Sequence, residues 1–189
     1  TRVLGAALVT QPALDADGTA LRERAASAAV ATAVGEHDRA LRPMFKRMDS
    51  HKDGAEALIV ALKEAKVLGT HKVQRKSAVT ADPKAATVYV TGLSAADARL
   101  ALARATPPLC TFVDAPPPLE PLTQRELLLR LADSLYANVP EMNDGARLNA
   151  LLRNLAGVES VEASVTRETF VAAPERLQLK LEAPPGMAE

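Results

Sequence analysis

The sequence predicts an α+β fold built from two helix-helix-β-hairpin units, with an inserted helix and strand and a Pro-rich spacer between the units. The first observation behind this prediction is a repeated pattern. Asp-Gly-Ala occurs at residues 53–55 and again at 144–146, and each copy opens a helical segment. At the same offset of 91 positions, each segment leads through a strand pattern to a proline turn and an alternating strand.

The second observation is the run of prolines at 116–118, which cannot join the interior of a sheet and therefore marks a boundary. Few letters are identical between the two units. An internal duplication and a chance match of two ordinary units therefore both remain as interpretations. The predicted parts are an N-terminal arm with an Ala-rich helix (1–35), a first α+β unit with the extra helix and strand (36–113), the spacer (114–122), a second α+β unit (123–183) and a tail (184–189).

The composition limits which chemistry the chain can perform. Its 189 residues are enough to bury a core. Because 48% of them are apolar but only 3% are aromatic, and none is Trp, we expect a core of small aliphatic side chains. Stacking platforms for bases or sugars are scarce. The single cysteine, Cys110, excludes an internal disulfide and a zinc site with several cysteines.

The formal net charge is zero, but the charges are unevenly distributed. Residues 36–80 carry ten Lys and Arg against six Asp and Glu, whereas residues 110–189 carry seven against twelve. This distribution indicates partners of different sign at the two ends of the chain, or an ordinary solvated surface.

The N-terminal residues 1–18, which include Leu4 and Leu8, predict an extended arm. Thr19 is placed to cap a helix that continues to Val34. The longest run of small apolar residues, 25–34, is about half the length that a bilayer requires, so no transmembrane span is predicted. Because the chain begins with Thr rather than Met, its start indicates a removed leader or a start introduced for expression. With a removed leader we expect the mitochondrial matrix, and otherwise the cytoplasm.

A stretch of the first unit resembles the first half of the calcium-binding loop of EF-hand proteins. Asp49, Asp53 and Gly54 match loop positions one, five and six. The pattern departs at position three, a histidine, and at position twelve, where Val60 replaces the glutamate that closes the site. We therefore expect no metal site and interpret Asp53 as the N-cap of the next helix, with Glu56 completing a capping box.

The first unit continues with a helix from residue 54 to about residue 68, ended by Gly69, and a hairpin with strands at 71–80 and 87–91. A helix followed by a basic hairpin is also what a winged helix presents to nucleic acid. Alternatively, the basic residues lie on an edge strand, where their charge discourages aggregation. The candidates for nucleic-acid contact are Lys46, Arg47, Lys52, Lys72, Arg75 and Lys76.

The inserted helix is predicted from the capping-box pattern of Ser94 and Asp97 and runs to about Ala105, before a short strand at 109–113. Residues 88–93 resemble the first short signature of RNA-recognition motifs, which implies RNA binding on a sheet. The second signature, with its stacked aromatics, is missing from the sequence. A hydrophobic strand that enters a helix through a glycine explains the same letters.

The second unit begins with a helix predicted from residue 123 to about residue 137. Its inward face carries four leucines, whereas Leu129 and Tyr136 fall on a second side. A helix that is apolar on two sides is expected to pack against two neighbours. Each neighbour is the other half of the chain or a foreign subunit. Leu129 and Tyr136, together with Leu4 and Leu8, are therefore the candidate residues for binding a protein partner. A Leu-rich helix and strands at 161–165 and 177–181 complete the unit.

The motifs that nominate an enzyme are missing from this sequence. It has no Gly-rich phosphate loop, no Gly-x-Ser-x-Gly and no His-Glu-x-x-His, and its three histidines are far apart. No catalytic residue, cofactor or metal is therefore predicted. We expect a non-catalytic accessory or scaffold subunit of a larger multi-protein assembly, which acts through contacts with other protein subunits. The alternative is an RNA- or DNA-associated protein that uses the basic hairpin at 71–76.

Overall fold

A computed structural model of the chain describes residues 18–51, 53–75, 87–106 and 118–158. Within these residues the fold is α+β, as the sequence predicts; it is mostly helical, with a single two-stranded antiparallel sheet. In chain order the elements are α1 (18–26), α2 (Ala28–Glu36), α3 (Asp38–Ser50), α4 (Gly54–Glu64), β1 (Gly69–Arg75), β2 (Thr87–Leu93), α5 (Ala95–Ala105), α6 (Pro121–Leu135) and α7 (Asp144–Leu155).

The core is organised around α6, which packs against α5, α7, β2 and α2. Its four inward leucines are fully buried, as predicted: Leu127, Leu128, Leu131 and Leu135. The prediction that Leu129 and Tyr136 leave apolar surface on a second side is wrong. Leu129 is 2% exposed and Tyr136 is 0% exposed, because elements of the same chain cover the helix on several sides.

The Ala-rich segment forms two helices rather than one. Ser27 interrupts it, and its hydroxyl accepts a hydrogen bond from the backbone N–H of Val30, so that Ser27 becomes the N-cap of α2. Such a local hydroxyl contact competes with continuous helix. Residue 18 is already helical, so Thr19 lies inside the first helix and does not cap it. None of the residues of α2 is buried.

The helix α3 contains Pro43 in its interior. Its buried face packs against α4. That face is made of Leu41, Met44, Phe45 and Met48.

The start of α4 confirms Asp53 as the N-cap but not the predicted capping box, because the N–H of Asp53 donates to Nδ1 of His51 at 3.1 Å. The carboxylate of Asp53 accepts hydrogen bonds from the backbone N–H groups of Ala55 and Glu56 at 3.0 and 3.3 Å. The side chain of Glu56 forms an ion pair with Arg99 of α5. Asp49, the first residue of the EF-hand-like pattern, accepts a hydrogen bond from the backbone N–H of Leu119 at 3.0 Å.

The helices α4 and α7 end with the same turn. After α4, Lys66 adopts a φ of 55°, and the N–H of Val67 donates to the carbonyl of Leu62 at 2.9 Å. After α7, Gly157 adopts a φ of 70°, and the N–H of Val158 donates to the carbonyl of residue 153 at 2.9 Å. Both turns are Schellman motifs, which supply hydrogen bonds to the free carbonyls at a helix end.

The two turns lie 91 positions apart, which is the offset of the sequence repeat. The helix starts do not match in the same way, because Asn143 caps α7, whereas α4 is capped by Asp53. The predicted strands of the second hairpin lie outside the described residues. The internal duplication is therefore not confirmed. Gly69 does not end α4 as predicted, since the turn is already made at Lys66 and Gly69 begins β1.

The strands β1 and β2 pair antiparallel, with Lys72 opposite Val90 and Val73 opposite Tyr89. The inner face of the hairpin, which includes Val73 and Leu93, belongs to the core. Gly92 is required by packing, because a Cβ atom there would lie 2.5 Å from the carbonyl oxygen of Gly69. This requirement explains the glycine that gave residues 88–93 their resemblance to an RNA-recognition motif.

Several predicted features lie outside the described residues. They are the N-terminal arm with Leu4 and Leu8, the strand at 109–113, most of the Pro-rich spacer, and the strands at 161–165 and 177–181.

Candidate functional site: the open face of the hairpin

The outer face of the β1–β2 hairpin exposes two large apolar side chains. Val88 is 52% exposed and Val90 is 55% exposed. They lie two residues apart on β2, so their side chains point to the same side of the sheet. An antiparallel sheet with one solvated face ordinarily carries polar residues there. We call the surface formed by Val88, Val90 and the exposed Lys72, which is paired with Val90, the open face.

The hairpin is anchored to the C-terminal end of α6. The hydroxyl of the buried Thr91 donates a hydrogen bond to the carbonyl of Leu135. The side-chain amide of Asn138 donates to the carbonyl of Val90 at 3.1 Å. Because these bonds join β2 to the central helix, the open face is held in a fixed orientation relative to the core.

The helix α2 provides a second exposed apolar surface. It consists mostly of Ala and Val, and Val30, Ala33 and Val34 are only partly buried against the core. A nine-residue helix is marginal in water by itself, so most of its stability has to come from packing.

The basic residues predicted to contact nucleic acid occupy different elements. Lys46 and Arg47 lie on α3, and Lys72 lies on β1. Arg47 forms an ion pair with Glu64 of α4 at 2.9 Å. Arg75 is the last residue of β1, whereas Lys52 and Lys76 lie outside the described residues.

Among the ion pairs of the described residues, the most deeply buried lies within α6. Arg130 donates to one carboxylate oxygen of Glu126 through Nε and a terminal nitrogen, at 3.1 and 2.9 Å. The Arg130 and Glu126 side chains are 8% and 3% exposed. The spacing of four residues signals such a pair in the sequence, but the burial does not follow from spacing. The pair therefore lies in the core, away from solvent.

A second charged cluster joins three helices. Asp133 of α6 lies 3.6 Å from both Arg24 of α1 and Arg147 of α7, and Arg24 also lies 3.2 Å from Asp144. Burial raises the pKa of Asp133 above its ordinary value, against the lowering effect of Arg24. The nearby Asp144 raises the pKa further, and Arg147 lowers it. Sequence reasoning missed this cluster, because its members are distant in the chain.

A groove of about 860 Å³ lies between α3 and the C-terminal ends of α4 and α7. Leu41, Met44 and Leu155 are among the apolar residues that line it, and Lys66 lies at its edge. In the part of the chain that the structure describes, no three His, Cys, Asp or Glu side chains come together as a metal site would require. The exposed carboxylate of Asp97 is held by hydrogen bonds from the Ser94 side chain and backbone, which lower its pKa and complete the predicted capping box.

Comparison with protein-family models, curated proteins and solved structures finds no match for this chain. None of the helices in the described residues combines the length and the apolar character that crossing a bilayer requires.

Proposed function

We propose that this chain is a non-catalytic accessory or scaffold subunit, which binds another protein of a larger assembly through the open face of its hairpin. The observation that carries the proposal is the exposure of Val88 and Val90 on a sheet whose other face is anchored to the core. Burying those two side chains against a partner is favourable, because apolar area leaves water.

The open face also has a charge that favours a particular kind of partner. Lys72 is exposed beside Val90 and makes no ion pair with another described residue. A lysine at the rim of an apolar patch steers an oppositely charged partner and fixes its orientation. The preferred partner surface is therefore apolar at its centre and acidic at its edge.

The position of the acidic groups supports a non-catalytic role. Asp53 and Asp97 cap helices, and Glu126 is paired inside the core. Asp133 lies between two arginines that belong to other helices. These carboxylates are therefore engaged in helix caps and ion pairs within the described fold.

The experiment is affinity purification of the tagged chain from an extract of its source cells under native conditions, with mass spectrometry of the retained proteins. The variant Val88→Ser/Val90→Ser removes the apolar patch, and Val60→Ser is the matched control, since Val60 is a 42% exposed valine on α4. A partner retained by the wild type and by the control, but lost with the double variant, is the expected result. Equal retention by all three proteins, or no partner at all, contradicts the proposal.

Nucleic-acid binding is the second candidate function, and the exposure of basic residues favours it. Lys46 and Lys72 are exposed and form no ion pair within the described ranges. Contacts to phosphates would make binding fall steeply as salt rises. Charge reversal at 72, 75 and 76 should then abolish retention on heparin or RNA, whereas Lys63→Glu on the exposed side of α4 should not. A wild-type chain that is not retained at low salt excludes this function.

A further inference from the structure

The groove between α3 and the C-terminal ends of α4 and α7 lies where the described chain ends. Gly157 and Val158, the last described residues, form part of its wall. Its apolar lining includes the buried Leu41 and Met44 and the half-buried Leu155. A volume of about 860 Å³ is within the range of cavities that enclose an organic ligand rather than a single ion.

The residues that come directly after the two Schellman turns differ in burial. In this motif the apolar residue after the turn ordinarily packs against the last turn of the helix. Val67 does so after α4 and is 0% exposed, together with the fully buried Leu62. Val158 holds the same position after α7 but is 60% exposed, and the residue at the helix position that matches Leu62 is Arg153.

The letters after Val158 fit the groove in both polarity and charge. Residues 159–166 read Glu-Ser-Val-Glu-Ala-Ser-Val-Thr, so that Val161, Ala163 and Val165 alternate with polar residues. An extended segment with this alternation presents its apolar side chains on one face. The segment carries two glutamates and no basic residue. At the edge of the groove Lys66 is exposed and makes no ion pair with a described residue.

We propose that the groove is the binding site for the chain's own residues 159–166, with Val161 and Val165 against its apolar lining. The segment needs no linker to reach the groove, because it starts from the groove wall at Val158. Binding of this segment would cover Val158 as Val67 is covered after α4, and it would bring a glutamate towards Lys66. This inference is independent of the proposed function, which concerns the hairpin on β1 and β2.

The test is hydrogen exchange with mass spectrometry on the full chain, followed in peptides that cover residues 40–47 and 154–158. The variant Val161→Asp/Val165→Asp places charges on the apolar side of the segment. Ser164→Asp is the matched control, because it adds the same group on the other side of the alternation. We expect exchange in both groove peptides to accelerate by at least about tenfold in the double variant, because the burial of two valine side chains is lost. The control should exchange like the wild type.

A peptide from α5 serves as the internal reference for global unfolding. If α5 also exchanges faster in the double variant, Val161→Ser/Val165→Ser replaces it, and the same local acceleration is expected. Groove exchange that matches the wild type in the valine variants overturns the proposal. Equal acceleration by Ser164→Asp also overturns the proposal, since the effect would then depend on the added charge and not on the side of the segment that carries it. Protection that appears only at high protein concentration assigns the groove to a second copy and overturns the proposal as well.

Discussion

Replacing Leu129 with Ala tests whether α6 is covered by its own chain. Leu129 is 2% exposed, whereas Leu100 on α5 is 49% exposed, so the two leucines allow the same chemical change at different burial. Full burial of a leucine side chain contributes about 1.5–3 kcal/mol, and the cavity left by a core Leu→Ala change raises the cost to about 2–5 kcal/mol. We expect Leu129→Ala to lower the free energy of unfolding by that amount.

The matched variant Leu100→Ala should cost less than about 1 kcal/mol, because half of the side chain already contacts water. The higher helix propensity of Ala offsets part of even this loss. The assay is urea unfolding followed by circular dichroism, with the midpoint and the slope fitted together. Equal losses in the two variants would show that burial on α6 does not set the cost of the Leu129→Ala change. An unchanged midpoint in Leu129→Ala would show the same, because Leu129 would then lie at a surface and could meet a foreign subunit.

Further predictions concern the turns, the cap and the charged cluster, each checked by the same unfolding assay. Lys66→Gly should raise stability by about 0.5–1 kcal/mol, because glycine adopts a φ of 55° without the cost that a side chain carries. Gly157→Ala should lower stability by about 1 kcal/mol, since its φ is 70°; opposite signs at either turn contradict the assigned turns. Asp53→Ala should cost about 1 kcal/mol through loss of its two backbone hydrogen bonds, and no change would mean that the cap is not formed. Burial raises the pKa of Asp133 in the folded state, so its contribution to stability is greatest below its ordinary pKa and is lost as the pH rises through the raised value. Asp133→Asn should therefore not lower stability at pH 7 and should flatten the pH dependence in that window; a clear loss at pH 7 would show that the two arginines outweigh burial.

The helices could be predicted from sequence because their signals are local. Leucines at spacings of three and four define the inner face of α6, and Asp53 and Ser94 are placed to cap the helices that follow them. Such patterns need no knowledge of the rest of the fold. The break at Ser27 was missed because the surrounding letters all favour helix, whereas one hydroxyl contact decides the geometry.

Burial could not be predicted in the same way, because it depends on how many elements converge. The pattern of α6 places Leu129 and Tyr136 away from the inner leucines, but it does not tell how many neighbours surround the helix. The helix end after α4 was misplaced for a different reason. A glycine at 69 is the expected signal for such a turn, yet Lys66 makes it with a positive φ.

For the candidate site, too, local sequence patterns predict part of the arrangement, and tertiary packing determines the rest. Alternation places Val88 and Val90 on one side of β2, but Tyr89, Thr91 and Leu93 occupy the other side and are also able to face a core. A shift of one residue exchanges the two faces, so only the packing on α6 determines which is exposed. The cluster around Asp133 joins three helices and has no local signal at all.

Whether the open face binds a protein is decided by the affinity of a purified partner for the wild-type and Val88→Ser/Val90→Ser chains. Each valine is about half exposed, so its burial against the partner contributes roughly 1 kcal/mol. Loss of both valines should therefore raise the Kd at least tenfold. The unfolding midpoint should stay the same, and Val60→Ser should bind like the wild type. An unchanged Kd in the double variant, with the fold intact, would show that the partner does not bind at the open face.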